Sequence, residues 1–228
     1  MSFSLTWYGH SAFLVKVDKA RILIDPFLSG NPLSPVKPGA VEADFILVSH
    51  GHSDHLGDSV EIAKRTGATI ISNSEICGWL REKGVKTHAQ HLGGGHEHSF
   101  GYLKLTMATH GSQLPDGTYG GNPAGFLLTT QSGDRLYFAG DTGFFGDMKL
   151  IGEEGLDVAI LPIGDNYTMG PADALRAVKL LQPQLVIPMH YNTFDLIQQD
   201  VTTWAERVEA DTSARVKIMK PGEEITIQ

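Results

Sequence analysis

The segment 45-FILVSHGHSDH-55 joins a short apolar run to six residues that include three histidines and one aspartate. Imidazole and carboxylate groups are ligands for zinc, iron and manganese. Side chains at positions i and i+2 of an extended segment point the same way, so His50 and His52 can bind one ion. Asp54 and His55 follow where the chain turns toward a helix, and they can reach a second ion. A polar surface loop is the alternative, but this density of metal-binding groups after an apolar strand favours a metal site.

Three further apolar runs end at a side chain that can bind a metal. They are 103-LKLTMATH-110, which ends at His110, 136-LYFAGD-141, which ends at Asp141, and 185-LVIPMH-190, which ends at His190. Binding sites in sheets with parallel strands gather beyond the carboxyl ends of those strands. We therefore expect all four ends to converge on one centre. Together they provide seven donor residues, enough for two ions that share one carboxylate, with positions left for water.

The first third of the chain reads as a β-meander. Short apolar segments predict strands at Ser4–Tyr8, Ala12–Val17 and Ala20–Ile24, with a hairpin at Asp18 and Lys19. The Pro- and Gly-rich stretch 25-DPFLSGNPLSPVKPG-39 follows and cannot form regular structure. A long loop of this kind in a compact domain is typically functional, so we expect it to form a wall or lid over the site.

Beyond residue 44, strand-length apolar runs alternate with amphipathic segments of helix length. This pattern indicates two sheets face to face with helices on both outer faces, within a single domain spanning residues 1–228. The predicted strands lie at 45–49, 69–72, Tyr102–Ala108, Gly125–Thr130, Arg135–Ala139, Val158–Leu161, Leu185–Pro188, Val216–Met219 and Glu224–Ile227, and the predicted helices near Asp58–Thr66, Ser74–Lys83, Pro171–Leu181 and Phe194–Ala210.

Composition narrows the class of function. The net charge of −8 and the absence of Lys/Arg clusters disfavour nucleic-acid binding. No apolar run approaches the ~20 residues that span a bilayer, so we expect no membrane partner. The single cysteine, Cys77, excludes an internal disulfide and is interpreted as a packing residue, and the N-terminal segment lacks signal-peptide features. We expect a cytoplasmic protein with a small-molecule substrate; a homo-oligomer is left open.

The HxHxDH motif, followed in order by strand-terminal His, Asp and His, resembles the metallo-β-lactamase superfamily. The segments WYGHSAF, LIDPFLSGNP, FAGDTG and GDNYTMGPADA resemble, more narrowly, a prokaryotic family of metal-dependent hydrolases that is similar to the ascorbate-phosphate lactonases. The resemblance covers essentially the whole chain. It implies an αββα sandwich, an α/β fold with the site at one edge between the sheets.

The same resemblance implies a ligand for every position of a two-metal site. Two divalent transition-metal ions are expected, with zinc favoured and manganese, iron or nickel as alternatives. In lactamases with a Cys ligand, that Cys stands where this chain has Asp141, so antibiotic hydrolysis is not expected. The implied ligands are His50, His52 and His110 for the first ion, Asp54, His55 and His190 for the second, and Asp141 as the bridge.

The expected chemistry is metal-dependent hydrolysis of a small ester, lactone or phosphodiester. A water shared by two cations loses its proton near neutral pH, and the resulting hydroxide attacks the carbonyl or phosphorus. Asp54 is predicted to orient this nucleophile and to pass its proton to the leaving group. His10 is predicted to support the ligands or to bind substrate, against a purely structural role. Tyr167 is a candidate hydrogen-bond donor to a developing oxyanion, against simple packing.

Other interpretations remain for the site and for the remaining histidines. A mononuclear-iron thiol dioxygenase uses a similar ligand set in related folds, while a nuclease is disfavoured by the acidic charge. A binding module without catalysis is disfavoured because no ligand is missing. The segment 93-GGGHEH-98 resembles a further metal site, but with the donor set complete we interpret Gly93–Gly95 as a flexible turn. We assign no metal to His88, His91, His96 or His98.

Overall fold

Two seven-stranded β-sheets form the centre of the computed structural model, which describes residues 3–227. The strands are β1 (Phe3–Trp7), β2 (Phe13–Val17), β3 (Ala20–Ile24), β4 (Phe45–Leu47), β5 (Thr69–Ser72), β6 (Thr87–Ala89), β7 (Gly95–His98), β8 (Gly101–Met107), β9 (Ala124–Thr129), β10 (Arg135–Phe138), β11 (Val158–Pro162), β12 (Leu185–Met189), β13 (Arg215–Val216) and β14 (Glu224–Ile227). The α-helices are α1 (Ser53–Leu56), α2 (Ser59–Thr66), α3 (Ser74–Glu82), α4 (Met148–Gly152), α5 (Pro171–Leu181) and α6 (Val201–Asp211).

Each sheet is antiparallel in one half and parallel in the other. The first sheet has the order β14-β1-β2-β3-β4-β5-β6, and the second has the order β13-β12-β11-β10-β9-β8-β7. Strands β1 to β3 form the predicted meander, after which β3, β4, β5 and β6 run parallel. In the second sheet β7 to β10 are antiparallel, and β10 to β13 are parallel. The parallel halves direct several carboxyl ends of strands toward one edge of the molecule.

The two sheets pack face to face through apolar side chains. Phe13 on β2 and Phe138 on β10 are both fully buried, and their rings meet edge to face with centroids 6.2 Å apart. Helices α2 and α3 cover the first sheet, and α5 and α6 lie against the second. This arrangement is the αββα sandwich that the sequence predicts. Cys77 on α3 is fully buried, as expected for a packing residue, and burial raises the pKa of its thiol to about 11.

The helix predicted at Phe194–Ala210 is wrong in its first half. A 3-10 turn occupies Asp195–Ile197, and α6 begins only at Val201. Asp200 sets this start, because its carboxylate accepts a hydrogen bond from the Thr203 amide and caps the helix. The backbone of the preceding Gln199 is not helical, and its backbone N–H donates a hydrogen bond to Asn192 Oδ1 at 2.7 Å.

The sequence pattern also missed the short edge strands. β6 and β7 are edge strands of the two sheets, and Gly95, predicted to lie in a flexible turn, is the first residue of β7. Edge strands with exposed side chains carry no apolar alternation, so the pattern has little to detect. Helix α4 and the single turn α1 were likewise not predicted. Strand β13 covers only Arg215–Val216 rather than Val216–Met219, because it pairs with just two residues of β12.

Within residues 3–227 the structure contains no helix with the length and apolar character needed to cross a membrane.

Candidate metal centre

Four loops that follow β4, β8, β10 and β12 meet at one edge of the sandwich. They carry the HGHSDH segment, His110, Asp141 and His190, so the predicted convergence of these strand ends is present in the fold. The backbone before Asp141 depends on Gly140, whose φ of +64° lies in the left-handed region. A Cβ atom at Gly140 would lie 2.7 Å from the Ala124 carbonyl oxygen, so only glycine fits there.

The first group of donors consists of His50, His52 and His110. One ring nitrogen from each lies within 4.8 Å of the other two. His50 Nε2 and His52 Nδ1 are 2.9 Å apart, and the His110 ring is 5.1 Å from each of the other two ring centroids. Three imidazoles at such separations match the ligand set of a tetrahedral ion that keeps one open position.

A second group of donors lies on the other side of Asp141. His55 Nε2 and His190 Nε2 are 3.2 Å and 3.0 Å from Asp141 Oδ2, and both are about 4 Å from Asp54 Oδ2, at 3.9 Å and 4.0 Å. Asp141 Oδ2 is also 3.6 Å from His110 Nε2 of the first group. The Asp141 carboxylate therefore touches both groups, which is the position that a bridging ligand needs.

The chemistry of these donors fits bound cations. His55 Nε2 and Asp141 Oδ1 are buried and have no hydrogen-bond partner in the described part of the chain. Burial lowers the pKa of the His55 imidazole, but the carboxylates of Asp141 and Asp25 outweigh it and hold this pKa well above its ordinary value. Positive charge is thus favoured beside His55 Nε2, and a metal ion can provide it in place of a proton. Burial, followed by the charge of His55, keeps His50 neutral by holding its pKa well below its ordinary value.

Asp25 orients two of the predicted ligands, although sequence reasoning assigned it no role. The carboxylate is fully buried and accepts a hydrogen bond from His55 Nδ1 at 2.8 Å and one from Ser49 Oγ at 2.5 Å. Ser49 Oγ in turn is 3.0 Å from His50 Nδ1 and can accept its proton. Both imidazoles then present Nε2 with a free lone pair toward the centre, as expected of a carboxylate that supports metal-binding histidines.

We predict that Asp25→Asn weakens metal binding without removing a ligand. The amide carries no negative charge, so it holds the ring of His55 less firmly and makes Nε2 less basic. Loss of such a supporting group typically lowers metal affinity by about 10- to 100-fold. Equilibrium dialysis against buffered zinc measures the change. Asp44→Asn removes a carboxylate that pairs with Arg21 at the surface and is the control; equal affinities in the two variants would contradict the role of Asp25.

His10 adjoins the second group of donors, with one ring nitrogen within 4.8 Å of donor atoms of Asp54, His55 and His190. Its ring is fully buried, with Nδ1 2.9 Å from Thr193 Oγ1 and Nε2 3.1 Å from Asp54 Oδ2. Burial, followed by the charge of His190, lowers the pKa of His10 to about 4, so the ring is neutral at neutral pH. A neutral ring satisfies both contacts when Nε2–H donates to Asp54 and Nδ1 accepts from Thr193. His10 thereby fixes the Asp54 carboxylate in position.

A cleft of about 450 Å³ opens above the donors. Aromatic side chains dominate its rim: Phe27 comes from the Pro-rich loop, Phe194 follows the last ligand, and Tyr167 is 53% exposed. The rings of Phe27 and Phe194 are 6.4 Å apart. The Pro-rich loop therefore contributes a wall of the cleft, as predicted. Its floor contains His52, Ser53, Asp54, His110, Asp141 and His190.

Four other histidines were predicted to bind no metal. Among the described residues, none of these donor groups contains any of them: His88, His91, His96 and His98. Three of them form a cluster of their own on the edge strands, which is described further below.

Comparisons with known proteins match this geometry. A family model described as the beta-lactamase superfamily domain matches residues 4–190. The chain is 51% identical to a UPF0173 metal-dependent hydrolase of Desulforamulus reducens, over 98% of this chain and 99% of the relative. It is 49% identical to a UPF0173 metal-dependent hydrolase of Thermus thermophilus, over 95% of this chain and 96% of the relative.

A solved structure shows the same likeness along the entire chain. Igni18, a metallo hydrolase from the hyperthermophilic archaeon Ignicoccus hospitalis, superposes with a TM-score of 0.92 at 40% identity and covers 100% of this chain and 99% of its own. The chain therefore belongs to the metallo-β-lactamase superfamily, and within it to the UPF0173 family of metal-dependent hydrolases.

Proposed function

We propose that this metal-dependent hydrolase uses two divalent ions, preferably zinc, to cleave a small uncharged ester or lactone. The observation that carries the proposal is the position of Asp141, whose carboxylate touches both groups of histidines at the floor of the cleft. His50, His52 and His110 would hold the first ion, and Asp54, His55 and His190 the second. When bound, the ions supply Lewis acidity and lower the pKa of a coordinated water, which provides the nucleophile.

Asp54 is the residue best placed to handle protons. Its side chain lines the cleft and keeps 29% of its surface exposed, while His10 fixes one carboxylate oxygen. Burial raises the pKa of Asp54, but the hydrogen bond with His10 and the charge of His55 outweigh it, so the pKa lies below its ordinary value. Asp54 is therefore ionised at neutral pH and can accept a proton from the attacking water, then pass it to the leaving group.

The lining of the cleft favours an uncharged substrate. Its described residues include Phe27, Tyr167 and Phe194 but no lysine or arginine that could pair with a phosphate or carboxylate of the substrate. Phosphate recognition in proteins commonly relies on such side chains. The aromatic rim instead offers apolar surface for an acyl group, with the Tyr167 hydroxyl available as a hydrogen-bond donor. An ester or lactone fits this lining better than a phosphodiester.

The donor groups and the lining of the cleft also favour hydrolysis over the two alternative activities, thiol oxidation by a single iron and nucleic-acid cleavage. A mononuclear-iron thiol dioxygenase needs a single ion, whereas the two groups of donors and the carboxylate that contacts both would provide ligands for two. A nuclease needs cationic side chains along the phosphate backbone, and the lining of the cleft provides none.

We predict faster metal-dependent cleavage of neutral acyl substrates than of anionic phosphodiesters. Zinc-reconstituted protein is assayed with an aromatic ester, a small lactone and bis(p-nitrophenyl) phosphate, with kcat/KM as the measure. Activity should rise with pH through the pKa of the coordinated water, which can fall to about 7. A chelator should abolish it and zinc should restore it. Preference for the phosphodiester would contradict the proposed substrate class, and activity insensitive to chelator would contradict metal-dependent hydrolysis.

A further inference from the structure

Three histidines outside the catalytic centre form a second imidazole triangle, which we call the peripheral histidine cluster: His88, His96 and His98. The ring centroids are 4.4 Å apart for His88 and His96, 4.9 Å for His88 and His98, and 4.8 Å for His96 and His98. The first donor group of the catalytic centre has centroid separations of 4.6, 5.1 and 5.1 Å. The two triangles are therefore almost the same size.

The peripheral histidine cluster joins the two sheets at their edges. His88 belongs to β6, the edge strand of the first sheet, whereas His96 and His98 belong to β7, the edge strand of the second. His96 and His98 are two residues apart on one strand, so their side chains point to the same face. Three rings from two sheets thus meet at a single point.

A hydrogen bond to Gln90 fixes the orientation of the His98 ring, as hydrogen bonds commonly do for metal-binding histidines. Its Nε2 is 3.1 Å from Gln90 Oε1, and the orientation of the buried Gln90 amide is fixed because its Nε2 donates to the Leu103 carbonyl at 3.0 Å. Gln90 therefore accepts the proton of His98 Nε2, which leaves Nδ1 with a free lone pair. The ring also stacks on Phe100 at a centroid distance of 5.0 Å and an interplanar angle of 8°.

Two rings of this cluster, those of His88 and His98, favour the neutral form that can bind a metal. Burial, followed by the charges of His88 and His96, lowers the pKa of His98 to about 4. Burial and the charge of His96 also lower the pKa of His88. Neutral imidazoles are ligands for zinc, copper and nickel. As the rings stand, these three residues do not each place a nitrogen within 4.8 Å of the other two. A half-turn about χ2 exchanges the nitrogen and carbon edges of a ring without moving its centroid, so binding would require the exposed His96 ring to turn its nitrogen edge toward the centre.

We propose that His88, His96 and His98 bind one transition-metal ion of the zinc type, separate from the catalytic ions. Three imidazoles and one water complete a tetrahedral shell, and the ion ties β6 to β7. This proposal revises our sequence-based interpretation, which assigned these histidines no metal. The ion has a structural role, and the site is weaker than the catalytic one because it contains no carboxylate and is open to solvent.

The test is the zinc content of His96→Ala. His96 is exposed on β7, so its removal leaves the core intact, and His91→Ala removes an exposed histidine of the same segment that lies outside the triangle. Protein equilibrated with buffered micromolar zinc is analysed by elemental mass spectrometry. We expect wild type and His91→Ala to bind one equivalent more than His96→Ala. Loss of one of three ligands should lower the affinity for this ion by about 10- to 100-fold or more. That is the scale seen when a group that supports a metal ligand is removed.

Thermal denaturation provides a second readout. Zinc beyond the catalytic equivalents should raise the Tm of wild type and His91→Ala but not that of His96→Ala, since only an ion bound to the folded state stabilises it. His88→Ala, which removes the single ligand from the first sheet, should repeat the His96→Ala result. Equal zinc content and equal Tm shifts in all four proteins would overturn the proposal. Hydrolase activity should be the same in all of them.

Discussion

Asp141→Ala is expected to remove the metal centre and with it the activity. The Asp141 carboxylate is 3% exposed and lies against His55, His110 and His190, so it would offset the repulsion between the two proposed cations. Without it, buried positive charge loses its compensating partner, an effect of about 3–5 kcal/mol. Because each 1.4 kcal/mol is a factor of ten, metal affinity should fall by roughly a hundredfold to a thousandfold or more.

The metal that each protein retains after dialysis is measured by elemental analysis. Wild type should retain near two equivalents, and Asp141→Ala one or none, with hydrolysis at the level of chelator-treated protein. His98→Ala is the matched control, because it removes a histidine that belongs to none of the donor groups of the catalytic centre. Retention of both catalytic ions by Asp141→Ala together with their loss in His98→Ala would show that the ligand map is wrong.

The sequence predicted that the candidate donors converge because they follow apolar strands. A run such as LYFAGD identifies both a buried strand and the residue at its carboxyl end, and the topology then brings four such ends together. The seven donors could be named before any coordinates because metal binding demands rare side chains at defined places. The αββα layers follow from the same alternation of apolar and amphipathic segments.

The role of Asp25, in contrast, could not be predicted from the sequence. In the sequence it is one aspartate before a proline, in a stretch that looks like any polar loop. Its role depends on hydrogen bonds to Ser49 and His55, more than twenty residues away along the chain. A contact of this range leaves no local pattern. The motif LIDPFLSGNP carried the only signal, since a strand that ends in Asp matches the other strand ends of the site.

The peripheral histidine cluster was missed for a related reason. His88 and His96 are separated by a loop, and each lies on a short, exposed edge strand that has no apolar alternation. The Gly-rich segment before His96 suggested a flexible turn. Only the ring contacts between these edge strands of two different sheets show that the three histidines meet.

Asp54→Asn should reduce turnover while leaving the shape of the site unchanged. The amide oxygen can still accept the hydrogen bond from His10 Nε2, whose distance to Asp54 Oδ2 is 3.1 Å, but the side chain can no longer take a proton. A positioned general acid/base contributes typically 10²–10⁴-fold, so kcat should fall by roughly 10²-fold or more, about 2.7 kcal/mol in the barrier. Since Asp54 is also a proposed ligand, rates are compared at matched zinc occupancy. Asp195→Asn, an equal loss of charge on the exposed turn beside Phe194, is the control and should keep wild-type kcat. Full activity of Asp54→Asn at full occupancy would refute its role in proton transfer.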